Sequence, residues 1–227
     1  SGREAFEYLQ QELALKLDIS GLDRLPQHGR AIVAANHPTG LADGVAVYYL
    51  LMRRRQDLIF FANADALRVN RQFEDIIIPV EWVMDKRTMG KTRETLRRAG
   101  EAFEAERCVV LFPSGRLARW HEGSLREQDW FSTVVSLARK QKAPIAPLHV
   151  SARNSKLYYL FCNLSKELRD ITLFHELLNK KGSRFNLMFG PLIQPEQLEG
   201  DPQAVTDRLK EYVAYTLKDD PDRPFGA

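Results

Sequence analysis

Little in this chain points to a secreted, membrane-spanning or metal-organised protein. Its 227 residues hold two cysteines, Cys108 and Cys162. Both sit inside hydrophobic runs and in no metal-type spacing, which excludes a disulfide framework and sets the expectation of a reducing, intracellular compartment. No stretch approaches the roughly 20 apolar residues that span a bilayer, and the first residues lack the basic, apolar and small succession of a secretion signal. A soluble or peripheral protein is expected. Lys and Arg exceed Asp and Glu by only 33 to 30, too little to argue for nucleic acid, although a pI of 8.8 suits an anionic surface. A nucleotide-type glycine loop, a G-x-S-x-G elbow and a basic stripe with interleaved aromatics are all missing, so kinase, serine-hydrolase and nucleic-acid-binding readings fall. His28, His121, His149 and His175 stand in no metal-ligand spacing, and neither a metal nor a cofactor is expected.

What is present is the composition of one folded domain, 44% hydrophobic and 28% charged. Apolar positions at spacings of three and four predict an amphipathic helix over 4–17, within an N-terminal segment 1–24. Short apolar runs at 31–36, 57–63, 75–83, 107–113, 145–150 and 185–193 read as strands, separated by helical patterns such as 91–106. Alternation of this kind indicates an α/β fold, a single domain over 25–220 with a mixed, largely parallel sheet flanked by helices. Asp201 and Pro202 open a terminal helix over 201–219 as N-cap and first residue. The tail 221–227 is expected to fray. No repeat or linker divides the chain, so a site assembled from strand ends is expected.

Three clusters carry chemistry. Asn36-His37-Pro38-Thr39-Gly40-Leu41-Ala42-Asp43-Gly44 follows a buried strand, where an imidazole can take a proton from an attacking hydroxyl while a carboxylate fixes its tautomer. The same residues can instead cap the helix that follows. Phe112-Pro113-Ser114-Gly115-Arg116-Leu117-Ala118-Arg119 follows a second strand. Its glycine admits close backbone approach, and Arg116 can grip a phosphate or carboxylate. Asp85, Lys86 and Arg87 end a third strand and can add charge for an anionic ligand.

In this order, and with the later strand Ala143-Pro144-Ile145-Ala146-Pro147, the clusters resemble the four blocks of the glycerolipid acyltransferase superfamily over residues 25–195. There the first block reads N-H, four residues, then Asp, and the third reads F-P-E-G-T-R. This chain has five residues between His37 and Asp43, and Ser114 and Arg116 where the family pattern has Glu and Thr. The longer H-P-x-G-x-x-D form resembles the hemolysin-like branch, which includes ornithine-lipid-type acyltransferases.

The resemblance implies His37 as general base, Asp43 as its partner, and Ser114, Gly115, Arg116 and Arg119 around the acceptor's head. Asn36, Gly40, Asp85, Lys86 and Arg87 join the binding set. One inserted residue would carry the carboxylate off the imidazole on a regular helix, so Gly40 is expected to let the turn bulge and restore contact. The implied donor is acyl-CoA or acyl-carrier protein, and the implied acceptor a lysolipid hydroxyl. A thioester hydrolase and a non-catalytic lipid-binding protein are the competing readings. Aromatic-rich segments at 157–162 and 171–174, flanked by Lys156, Lys166 and Arg169, suit either core packing or an anionic membrane surface. Peripheral attachment at the cytoplasmic face of a membrane is the expected location.

Overall fold

The chain's elements follow from which runs can be covered on both faces. The computed structural model describes residues 1–64, 66–67, 71–81 and 88–227. Its strands are β1 (Lys16–Ser20), β2 (Ala31–Ala35), β3 (Leu58–Asn63), β4 (Ile77–Val80), β5 (Cys108–Leu111), β6 (Arg119–His121), β7 (Ser124–Arg126), β8 (Ile145–Ser151) and β9 (Arg184–Phe189). Helices are α1 (Gly2–Leu13), α2 (Leu41–Leu51), α3 (Met89–Glu104), α4 (Thr133–Gln141), α5 (Lys156–Leu164), α6 (Lys166–Leu178) and α7 (Pro202–Glu211).

Seven strands form one sheet in the order β1-β9-β8-β2-β5-β3-β4. Five of them, β8 through β4, run parallel; β9 is antiparallel to β8, and β1 pairs parallel with β9. The sheet is therefore mixed and largely parallel, and β2 and β5, apolar at every position, are buried along their whole length. Successive residues of β2 face opposite cores. Ile32 and Ala34 meet Phe103, Val134 and Leu209, whereas Val33 and Ala35 meet Val45, Leu50 and Phe185. Because β2, β5 and β8 are parallel neighbours, their C-terminal ends open along one sheet edge, where α/β proteins place ligands.

Two boundaries differ from the sequence expectation. The first helix ends at Leu13, with Ala14 left-handed at φ 44°, and Leu17 belongs to β1. The two-residue alternation of Lys-Leu-Asp-Ile-Ser outweighs the helical spacing once β9 offers a partner edge. Within the tail, Phe225 packs its ring 5.5 Å from that of Tyr212, whose hydroxyl donates to Arg223 O at 2.6 Å, while most of its neighbours in 221–227 are exposed. The terminal helix is also interrupted, passing through a π-turn at Tyr212–Thr216. No described helix is long and apolar enough to cross a membrane.

Candidate active site

The end of β2 is locked before the chemistry begins. Asn36 donates through Nδ2 to Val150 O at 2.9 Å and accepts from Val150 N–H at 2.7 Å, extending the β2–β8 ladder by a side chain. His37 follows at once, and both of its main-chain polar groups are held. Its N–H donates to Glu127 Oε2 at 3.1 Å, and its carbonyl accepts from Ala118 N–H at 2.9 Å. The imidazole stacks on Phe112 with ring centroids 4.3 Å apart, and the side chain stays 17% exposed. One face of the ring is packed while an edge still meets solvent.

Gly40 turns the chain at φ 91°, ψ −125°, a conformation that favours glycine. A Cβ there would lie 2.9 Å from Leu117 Cδ2, so the position is closed to larger residues by space as well as by backbone. Through this turn Asp43 reaches back from the first turn of α2. Its Oδ2 accepts from Thr39 N–H at 2.8 Å and Gly40 N–H at 2.9 Å, and Oδ1 accepts from the Thr39 hydroxyl. The same Oδ2 lies 3.0 Å from His37 Nδ1. Nδ1 is buried and makes no directed hydrogen bond, so the pair meets by close approach alone. The helix cap and the imidazole–carboxylate contact, alternatives in the sequence, coexist in one carboxylate.

The loop after β5 is built differently. Gly115 N–H closes a turn on Phe112 O at 2.9 Å, and the Ser114 hydroxyl donates to Arg116 O at 2.7 Å. Arg116 and Arg119 point their length into solvent. Ser114 is buried, so it shapes the loop, and of the loop's predicted binding residues the two arginines are the exposed ones. Asp85, Lys86 and Arg87 lie outside the described residues.

Glu127 carries no signal in the sequence and emerges only in three dimensions. It is 8% exposed, accepts from His37 N–H and from Trp130 Nε1 at 3.1 Å, and its own N–H donates to Tyr215 Oη at 3.1 Å. Burial pushes its carboxyl above the usual range, opposed by the bonds it accepts. Beside it a cavity of about 660 Å³ is lined by Asn36, Glu127, His149, Arg153, Tyr215 and Lys218, among others. His149 within it bonds Val213 O at 2.8 Å through Nδ1, and burial lowers its pKa.

Comparisons with known proteins bear on this geometry. The sequence profile of the family described as Acyltransferase matches residues 16–151. Two relatives are each named lyso-glycine lipid O-acyltransferase. That of Phocaeicola vulgatus is 26% identical over 83% of this chain and 68% of its own length, and that of Bacteroides thetaiotaomicron 26% identical over 83% and 70%. Among solved structures, the 1-acyl-sn-glycerophosphate acyltransferase PlsC of Thermotoga maritima superposes with a TM-score of 0.60 at 16% identity, covering 98% of this chain and 78% of that one. At that identity the likeness speaks for the fold.

Proposed function

The chain belongs to the Acyltransferase family, and from that premise we propose that it is an O-acyltransferase moving a fatty acyl chain from a thioester donor to a lysolipid hydroxyl, with His37 as general base. The observation that carries this reading is the 3.0 Å approach of the buried Asp43 carboxylate to His37 Nδ1. It turns Nδ1 inward and leaves Nε2 as the nitrogen available to a substrate. In the reaction Nε2 takes the proton of the acceptor hydroxyl while its oxygen attacks the thioester carbonyl. The carbon–sulfur bond then breaks, and the departing thiolate takes the proton from the imidazolium, which Asp43 has stabilised meanwhile. An ester and a free thiol result, and no covalent enzyme intermediate is required.

Arg116, exposed beside this base on the neighbouring strand end, suits an anionic acceptor head such as the carboxylate of an amino-acid lipid. The names of the two lyso-glycine lipid relatives support that choice over glycerol phosphate. Acyl-CoA and acyl-carrier protein both satisfy the donor chemistry.

The test is thiol release from palmitoyl-CoA with a panel of lyso-amino-acid lipids and lysophospholipids, comparing wild type with His37→Ala. Acceptor-dependent release with an acylated product is expected, falling by about two to four orders of magnitude in the variant. Release without acceptor, yielding free fatty acid, would make the protein a hydrolase. Undiminished transfer in His37→Ala would remove the base from His37.

A further inference from the structure

Helices α5 and α6 leave an apolar face that no described residue covers. Leu157, Leu160 and Leu164 project from one side of α5 at helical spacing, and Leu168, Ile171 and Leu178 from one side of α6. Their exposure runs from 40% at Leu168 to 72% at Ile171. The opposite sides of the pair are satisfied: Tyr158 and Tyr159 are buried on α5, and Leu177 packs into the core from α6. The two helices are clasped into one unit. Ser165 ends α5 and caps α6, while the buried Glu176 accepts from Ser155 N–H at 2.9 Å and from Lys180 Nζ at 2.9 Å. Isolated exposed leucines are ordinary, but six large aliphatic side chains on two consecutive helices form a patch.

The chain around that patch carries more cations than anions. The segment from Arg153 to Lys181 holds six Lys and Arg against three Asp and Glu, an excess of three that equals the whole chain's 33 less 30. Lys156 is the first residue of α5, where the helix dipole disfavours a cation, so helix stability does not account for it. The hairpin β6–β7 lies alongside, with Trp120, itself 41% exposed, 5.6 Å from the ring of Tyr159. Across that hairpin Arg119 stands directly opposite Arg126, a like-charge pair that costs stability unless an anion sits between. No described carboxylate pairs with either arginine.

We propose that the outer faces of α5 and α6, edged by the β6–β7 hairpin, are the surface on which this protein sits on an anionic lipid bilayer. The leucines enter the acyl region, Trp120 lies at the boundary, and Arg119, Arg126, Arg153 and Lys156 meet phosphate or carboxylate headgroups. The same helix pair touches the catalytic turn. A Cβ on Gly40 would lie 3.4 Å from Leu173 of α6, and Asn154 Nδ2 donates to Thr39 O at 3.4 Å. A bilayer on the outer face therefore lies across this one helix pair from the His37–Asp43 turn, which gives a lysolipid a short path from the lipid phase to the base. This last step rests on the acyl-transfer reading; the docking surface does not.

The experiment is sedimentation with phosphatidylcholine vesicles and with the same vesicles containing about one-third phosphatidylglycerol, alongside turnover of a short-chain monomeric lysolipid. Wild type should bind the anionic vesicles preferentially. Leu160→Glu with Ile171→Glu should reduce that partition about tenfold or more with an unchanged melting midpoint and unchanged turnover of the monomeric acceptor. Arg126→Gln, which leaves the leucines intact, should remove much of the preference for anionic over neutral vesicles. Wild type that turns over the monomeric acceptor but ignores vesicles overturns the surface and spares the enzyme. Binding with no turnover of any acceptor spares the surface and sinks the acyl-transfer reading. A lipid-free dimer that the leucine substitutions dissolve would also overturn the proposal, assigning the face to a second copy.

Discussion

Two loops leave neighbouring parallel strands at the same sheet edge and are finished in opposite ways. After β2, residues 36–43 are almost wholly buried, and nearly every polar group in the turn is spoken for by Val150, Glu127, Ala118 or Asp43. After β5, residues 113–119 close on themselves through Gly115 N–H and the Ser114 hydroxyl, and send their arginines into solvent. Proton transfer at His37, on the proposed reading, tolerates little error in position, and an over-determined loop suits it. Capturing a charged head needs reach, which long exposed side chains supply.

That contrast can be broken first at Asp43. Asp43→Ala strands Thr39 N–H and Gly40 N–H in a buried turn at a cost of about 1–3 kcal/mol each, so a large fall in denaturation midpoint should accompany loss of turnover. Asp43→Asn keeps an acceptor for the turn and should recover more stability than activity, separating the carboxylate's two duties. Comparable losses in both measurements for both variants would mean that Asp43 only holds the turn.

Arg116→Ala sharpens the other side. Its midpoint should move by no more than about 0.5 kcal/mol, while the KM for an anionic acceptor rises about tenfold or more, as expected when a charge-assisted hydrogen bond is lost. A neutral acceptor should be served equally well by both proteins. Equal KM increases for charged and neutral acceptors would deny Arg116 any part in reading the head.

The smallest effect lies behind the first loop, at His149. Burial holds its pKa below the ordinary 6.5, so the unfolded chain binds that proton more readily than the folded one. The stability of the neutral ring is present above about pH 6.5 and is lost as pH falls toward the folded pKa. Glu127 works in the opposite sense. Its carboxyl is raised above the ordinary 4.5, so its contribution declines as pH rises through that range. His149→Gln should flatten the decline in midpoint between pH 7 and pH 5; an unaltered slope would show that another group governs it.

Much of this arrangement was legible in local pattern. Fully apolar runs marked the inner strands, and the glycine within the lengthened His-to-Asp spacing pointed to the bulged turn. What escaped reading depends on residues far apart in the chain. Glu127 lies 90 positions from the His37 N–H it accepts, and inside a stretch rich in charge it looks like any solvated glutamate. β1 was obscured because Phe6, Leu9, Leu13 and Leu17 continue a helical spacing across a boundary that only pairing with β9 sets. The terminal aromatic Phe225 gave no periodic signal at all, and its burial depends on Tyr212 being there to meet it.

The bond from Ala118 N–H to His37 O has a mechanical meaning beyond holding a residue in place. It joins residues 113–119 to the peptide plane of His37, so a displacement of that loop is passed to His37 through the main chain. On the proposed reading, an anionic head that loads this loop would also act on the seating of the imidazole. An acceptor that fails to engage the arginines would leave the base less firmly aimed, and selectivity would register in turnover as well as in affinity.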